Sequence, residues 1–212
     1  MQKYDGRHIK TMRYGDDHKQ QTHERLVKEA AAMLRTEGPE RMSVATLMAK
    51  LGLTHGGFYA HFRSKDALIA EAIDATFDQT AERFAKRIEG LSPAEALGHH
   101  IDSYLSALHQ EGTGDGCPLP AIAADVARLG PLAKAHFGAG MRRLHARIAA
   151  LFEALGYDPG EAKERAVSLY CELAGAVALA RAVDPEQARE IRANSRAALR
   201  KRFGLSVPAP AA

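Results

Sequence analysis

The sequence predicts an all-α protein of about nine helices, and three observations carry that reading. Apolar residues recur at helical spacing along most of the chain. Helix-starting grammar, a capping residue followed by proline or by a glutamate three places further on, appears again and again. Alternating Val/Ile/Thr runs, which would mark strands, are absent, and Trp is missing altogether.

Each helix follows from local signals. The first is expected from about His18 to Thr36, with Leu26, Val27, Ala30, Met33 and Leu34 on one stripe and a stop at Gly38-Pro39. Ser43 can cap a short second helix, SVATLMAKL, which ends at Gly52, and Thr54 can cap a third over HGGFYAHF. Ser64 then starts a long helix with Ile69, Ile73, Phe77, Phe84 and Ile88 on or near one face. Ser92-Pro93-Ala94-Glu95 spells a capping box with proline at the first helical position, and Asp158-Pro159 and Asp184-Pro185 repeat the pattern. Cys117-Pro118 and Gly130-Pro131 mark two further starts, and EGTGDG (111–116) reads as the most flexible internal loop.

Bulk properties narrow the class. With 212 residues and 46% hydrophobic content the chain can bury an ordinary core. Its longest apolar stretch, CELAGAVALARAV, is interrupted by Glu172 and Arg181 and falls short of the roughly 18–20 residues of a membrane span, so no membrane partner and a cytoplasmic location are expected. Two cysteines, Cys117 and Cys171, indicate no disulfide framework. Residues 1–65 hold 12 Lys/Arg against 7 Asp/Glu, whereas the rest hold 17 against 19, so one end is suited to a polyanion.

Two short helices across a tight glycine turn, in the basic end, form a helix-turn-helix, whose second helix enters the major groove. Val44, Leu47, Met48, Leu51, Leu53, Phe58 and Phe62 are its expected core. Outward remain Thr54, His55, Gly56, Gly57, Tyr59, Ala60 and His61, with Arg63 and Lys65 just beyond. Hydroxyl and imidazole groups suit phosphate oxygens, Ala60 suits a thymine methyl, and His55 is placed for a base edge. Ser43 and Thr46, at the start of the preceding helix, complete the expected DNA-contacting set. Gly56 and Gly57 read as clearance, since no strand precedes them as a nucleotide-binding loop would require. His55 and His61 lie six apart on different faces, a poor metal pair.

Ser43, Val44, Leu47, Leu51-Gly52-Leu53, Thr54, Gly56, Phe58-Tyr59, His61-Phe62, Ser64-Lys65 and Leu68 together resemble the DNA-binding domain of the tetracycline-repressor (TetR) family of bacterial regulators. Gly57 departs from the small hydroxyl or alanine usual there, and Met48 from a frequent alanine. The resemblance implies a homodimer of Ω-like shape on a palindromic DNA operator, with a small-molecule effector in the C-terminal domain that releases it. The domains then divide as a basic arm (1–17), the helix-turn-helix (18–66), a ligand-binding and dimerisation domain (67–205) and a disordered tail (206–212). The N-terminal extension, with Lys3, Arg7, Lys10, Arg13 and Lys19, is expected either to lie along the DNA or to be a disordered terminus with incidental charge.

Residues 93–203 carry no nucleophile elbow, P-loop or zincin motif, so no enzyme activity, no cofactor and no metal are expected. The resemblance implies that the last two helices form a dimer bundle through Val167, Leu173, Ala174, Val177, Ile191 and Leu199; ordinary intrachain core is the competing account. An apolar effector pocket is expected from Phe77, Phe84, Tyr104, Ile122, Val126, Phe137, Met141 and Tyr170. Cys117 is added to that set: its place at a helix N-terminus beside a loop favours a reactive thiolate, whereas nearby Asp115 opposes one and leaves an ordinary small core cysteine as the competing account. His99, His100, His109, His136 and His145 read as scattered surface histidines.

Overall fold

The computed structural model describes residues 7–111, 114 and 116–206, with backbone alone for 7–16, 110 and 111. The described residues form α1 (Arg7–Arg41), α2 (Val44–Lys50), a 3₁₀ helix (His55–Ala60), α3 (Lys65–Ile88), α4 (Pro93–Tyr104), α5 (Ala107–Glu111), α6 (Pro118–Val126), α7 (Pro131–Ala154), α8 (Pro159–Ala180) and α9 (Pro185–Arg202). No strand occurs among them. Of the expected arm, residues 1–6 lie outside the described residues, and 7–17 continue α1 backwards instead of forming a separate segment. The tail beyond Ser206 and positions 112, 113 and 115 of the EGTGDG loop also lie outside them.

Side-chain caps begin most of these helices. Ser43 accepts from Thr46 N at 3.0 Å and Ser64 from Ala67 N at 3.1 Å. The Ser92–Glu95 capping box is complete, since Ser92 N donates to Glu95 Oε2 at 2.9 Å while Glu95 N donates back to Ser92 Oγ. Asp158 and Asp184 each accept two backbone N–H bonds, and proline occupies the first turn of α4, α6, α7, α8 and α9. At the end of α1, Gly38 (φ 78°) leaves the helical region, and Pro39–Arg41 adds one turn beyond the break.

The buried stripe of α1, Leu26, Ala30, Met33 and Leu34, closes over Leu47 and Met48 of α2 and over Phe58 and Phe62. Leu68, Ile69 and Ile73 of α3 extend the same core into the body. There α3 packs on α1 and α7, α7 on α8, and α8 on α9. Phe77 of α3 meets Phe137 edge-on at 5.3 Å and lies over Gly140 of α7, where an added Cβ would come within 2.1 Å of the ring. α9 is tied to α4 by Arg196 and Arg200, which reach Asp102 at 3.5 and 3.4 Å.

Gly140→Val tests the α3–α7 contact. The Phe77 ring is 1% exposed and braced by Phe137, so it has no room to yield. Overpacking costs about 1–3 kcal/mol, well above the few tenths gained in helix propensity. Urea unfolding is expected to show an unfolding free energy lower by that amount, through a lower midpoint with an unchanged slope.

Candidate functional site

The head presents a polar surface built on a tight turn. Gly52 (φ 69°) ends α2 in the left-handed region, and Leu53 N turns back to Met48 O at 2.8 Å. The expected third α-helix is a 3₁₀ helix, and the Thr54 side chain makes no cap hydrogen bond, so its expected capping role falls away. Core-facing Phe58 of the 3₁₀ helix and Phe62, two residues beyond its end, stack at 5.4 Å. Ser43, Thr46, Thr54, His55, Gly56, Tyr59 and Ala60 are exposed, and Gly57 and Lys65 are half-buried. Tyr59 is 66% exposed, a large aromatic with no internal reason to be outside. His61 is only partly outward: its Nδ1 is enclosed without a hydrogen-bond partner, and burial, then His23 and Lys19, lowers its pKa.

Neither glycine is demanded by the chain. Gly56 and Gly57 have no positive φ. A Cβ on Gly56 would meet nothing within 4 Å, and one on Gly57 only ordinary contacts with Thr54 Oγ1 (3.5 Å) and Met48 Cε (3.6 Å).

His23 of α1 joins the head to α3, reaching Glu71 at 2.6 Å while its ring stacks on Phe62 at 4.6 Å. Further along α3 a small cavity opens among Thr80, Arg83, Phe84, Arg87, His100, Tyr104, His109 and Cys117, with a volume of about 40 Å³. Phe84, Tyr104 and Cys117 were expected there. Phe77, Phe137, Ile122 and Val126 are instead buried core, Met141 packs against it, and Tyr170 stands behind Tyr104 at 6.3 Å. Sequence reasoning passed over Thr80, Arg83, Arg87, His100 and His109. The i, i+4 pairs Arg83/Arg87 and His100/Tyr104 were the available signal.

The histidines are not a uniform surface set. His100 and His109 enclose their Nε2 atoms without hydrogen-bond partners. Burial first, then His109, Arg87 and His99, holds His100 down to about 3. Burial, then Arg181, Arg87 and Arg83, holds His109 down to about 4. His136 pairs with Asp74 at 2.6 Å, and His145 is partly buried beside Tyr170. Among the described residues no cluster of His, Cys, Asp or Glu is arranged to hold a metal ion.

Cys117 takes the second of its two expected characters, a small core residue. It is 2% exposed, and burial pushes its thiol pKa up despite the opposing pull of Tyr104, the Leu119 backbone, Arg83 and Arg181. An enclosed, protonated thiol is a poor nucleophile, so the electrophile-sensing reading loses its physical basis. Cys171 is the exposed cysteine, on α8. Of the expected dimer residues, Leu173, Val177 and Leu199 have no exposed surface and belong to the protomer core. Val167 is exposed, and Ala174 and Ile191 are half-buried.

Residues 26–72 match the family described as bacterial regulatory proteins, tetR family, and residues 93–191 match the family described as transcriptional regulator LmrA/YxaF-like, C-terminal domain. The chain belongs to the TetR family of transcriptional regulators, which are not enzymes. Among particular relatives, it is 29% identical over 165 residues to the uncharacterized HTH-type transcriptional regulator Rv0196 of Mycobacterium tuberculosis (strain ATCC 25618 / H37Rv), covering 74% of this chain and 83% of the relative. Its fold is similar to that of reduced Escherichia coli NemR (TM-score 0.74, 19% identity, 90% of this chain and 100% of that one). It is also similar to a TetR transcriptional regulator from Chloroflexus aurantiacus J-10-FL (TM-score 0.74, 24% identity, 89% and 96%). No helix among the described residues is long and apolar enough to cross a membrane.

The two enclosed histidines make stability pH-dependent. Unfolded, each binds its proton near pH 6.5, whereas the folded chain holds off protonation to about 3 and about 4. The unfolded state therefore binds more protons below about pH 6.5, and stability is lost as pH falls, at up to about 1.4 kcal/mol per pH unit for each histidine. Urea unfolding between about pH 7 and pH 5 is expected to show this decline, with a shallower slope in His100→Gln.

Proposed function

We propose that the protein is a homodimeric repressor that grips a palindromic operator through α2 and the 3₁₀ helix and is released by a small molecule in the C-terminal domain. The observation that carries the DNA contact is the pair of glycines flanked by exposed His55 and Tyr59. The chain has space for side chains at both positions and lacks them, which fits close approach of backbone to a groove. Tyr59, Ser43 and Thr46 are placed to meet phosphates, and Lys65 adds charge. Residues 1–17, with Lys3, Arg7, Lys10 and Arg13, and Lys19 just beyond them, would extend that contact along the backbone. A cytoplasmic location goes with this reading.

Two routes connect effector to operator. α3 carries Glu71, held by His23 of the head, and Arg83 and Arg87 at the cavity, so the two ends are separated by roughly 18 Å of rigid helix. α6 begins at Cys117 on the cavity and ends against α1, where Asp125 lies beside Gly38. Displacing either helix shifts the head.

The dimer contact is assigned to the outer stripe of α8. Val167, Cys171, Ala174 and Ala178 fall on one face, and Val167, Cys171 and Ala178 are exposed. Small residues there permit close helix approach.

Selection of bound DNA fragments should yield a palindrome, bound less tightly as salt rises. Gly57→Thr is expected to fold normally, given its ordinary contacts, and to lower operator affinity by roughly tenfold or change the preferred sequence, since a blocked base contact costs about 1–3 kcal/mol. Unchanged affinity and preference would sink the clearance argument. In sedimentation velocity, Ala178→Glu is expected to shift the protein from dimer to monomer, because it places like charges opposite one another across a two-fold axis. An intact dimer would move the interface elsewhere.

A further inference from the structure

The cavity among α3, α4, α5 and α6 has a chemical character of its own. None of its described lining residues is acidic, and Arg83 and Arg87 stand one helical turn apart along it. Arg83 is held in position by Thr80 Oγ1 at 3.4 Å, and Arg181, which donates to His109 O at 3.3 Å, adds a third guanidinium nearby. Its inner wall carries buried polar atoms that the protein leaves idle. His100 Nε2 and His109 Nε2 have no hydrogen-bond partner, and the Tyr104 hydroxyl, on a residue 4% exposed, meets only the weakly accepting thiol of Cys117. Such atoms are costly to leave unpaired, and three on one cavity point to an occupant.

We infer that this cavity seats the carboxylate group of a small organic acid, and that such an acid is the effector. A carboxylate is acceptor-only, with two oxygens able to take up to about four hydrogen bonds. The site offers donors of that kind: the Tyr104 hydroxyl, the guanidinium forks and, in the tautomer that carries its proton on Nε2, each imidazole. A cation would be repelled by the arginines. An uncharged amide would match the hydroxyl and the imidazoles and forgo the charge-assisted bonds. The open volume of about 40 Å³ admits a carboxylate and little more, so the acid's organic body must leave past Phe84 toward Arg87, which is exposed.

This assignment rests on the proposed effector-released regulator, and its test separates the two. Full-length protein is titrated calorimetrically with acetate, benzoate, benzamide and inorganic phosphate, and operator binding is followed by fluorescence anisotropy with the same compounds. Acetate and benzoate are expected to bind and to weaken operator binding, with benzamide and phosphate inert. Tyr104→Phe and Arg87→Gln, each at an unchanged unfolding temperature, should weaken benzoate by roughly tenfold or more, the cost of one hydrogen bond to a charged group. Benzamide or phosphate binding as tightly as benzoate would overturn the carboxylate assignment, as would benzoate affinity that survives both substitutions. Benzoate binding without operator release would leave the site's ligand class standing and sink its effector role. Operator release by an uncharged compound, with carboxylates inert, would do the reverse.

Discussion

The structure depends on α3 being one unbroken helix with three successive neighbours. Its first turns, through Leu68 and Ile69, complete the core of the head. Its middle lays Phe77 over Gly140 of α7, an approach that only a residue without a side chain allows. Its last turns wall the cavity with Thr80, Arg83, Phe84 and Arg87. A helix rises about 1.5 Å per residue and resists bending without a proline or bulge, and none interrupts α3. Head and cavity therefore share one rigid part, and coupling between them needs no additional element.

Burial decides the chemistry of the body. A helix N-terminus and nearby guanidinium groups favour a thiolate at Cys117, yet the cost of taking a charge out of water is larger and leaves a protonated thiol. The same term keeps His100 and His109 neutral, and the neighbouring arginines act in the same direction. Among the described lining residues the fixed charges are therefore cationic, and the titratable groups His100, His109 and Cys117 are neutral near pH 7. That combination accepts an anion more readily than it accepts a redox or acid–base role.

Much of this was legible from residue spacing. The caps at Ser43, Ser64, Ser92, Asp158 and Asp184 are local events within a few residues, so the sequence contains both partners. The stripe of α1 and the core of the helix-turn-helix follow from periodicity alone. Where a helix is short, the same logic falters: six residues after Thr54 took 3₁₀ geometry, because tertiary packing of Phe58 and Phe62 outweighs propensity in so short a segment.

The sequence by itself determined the all-α class, the capped helix starts at Ser43, Ser64, Ser92, Asp158 and Asp184, the helix-turn-helix and its family, since each is written in residues close together in the chain. Only the tertiary structure decided which apolar residues are core and which face outward on α8, because a period-3.6 pattern marks a face without naming what covers it. It alone brought Arg83, His100 and His109, from three different helices, and Cys117, at the head of a fourth, around one space. Spacing along a chain reports faces; convergence depends on how helices cross, and that is fixed by packing between residues far apart in sequence.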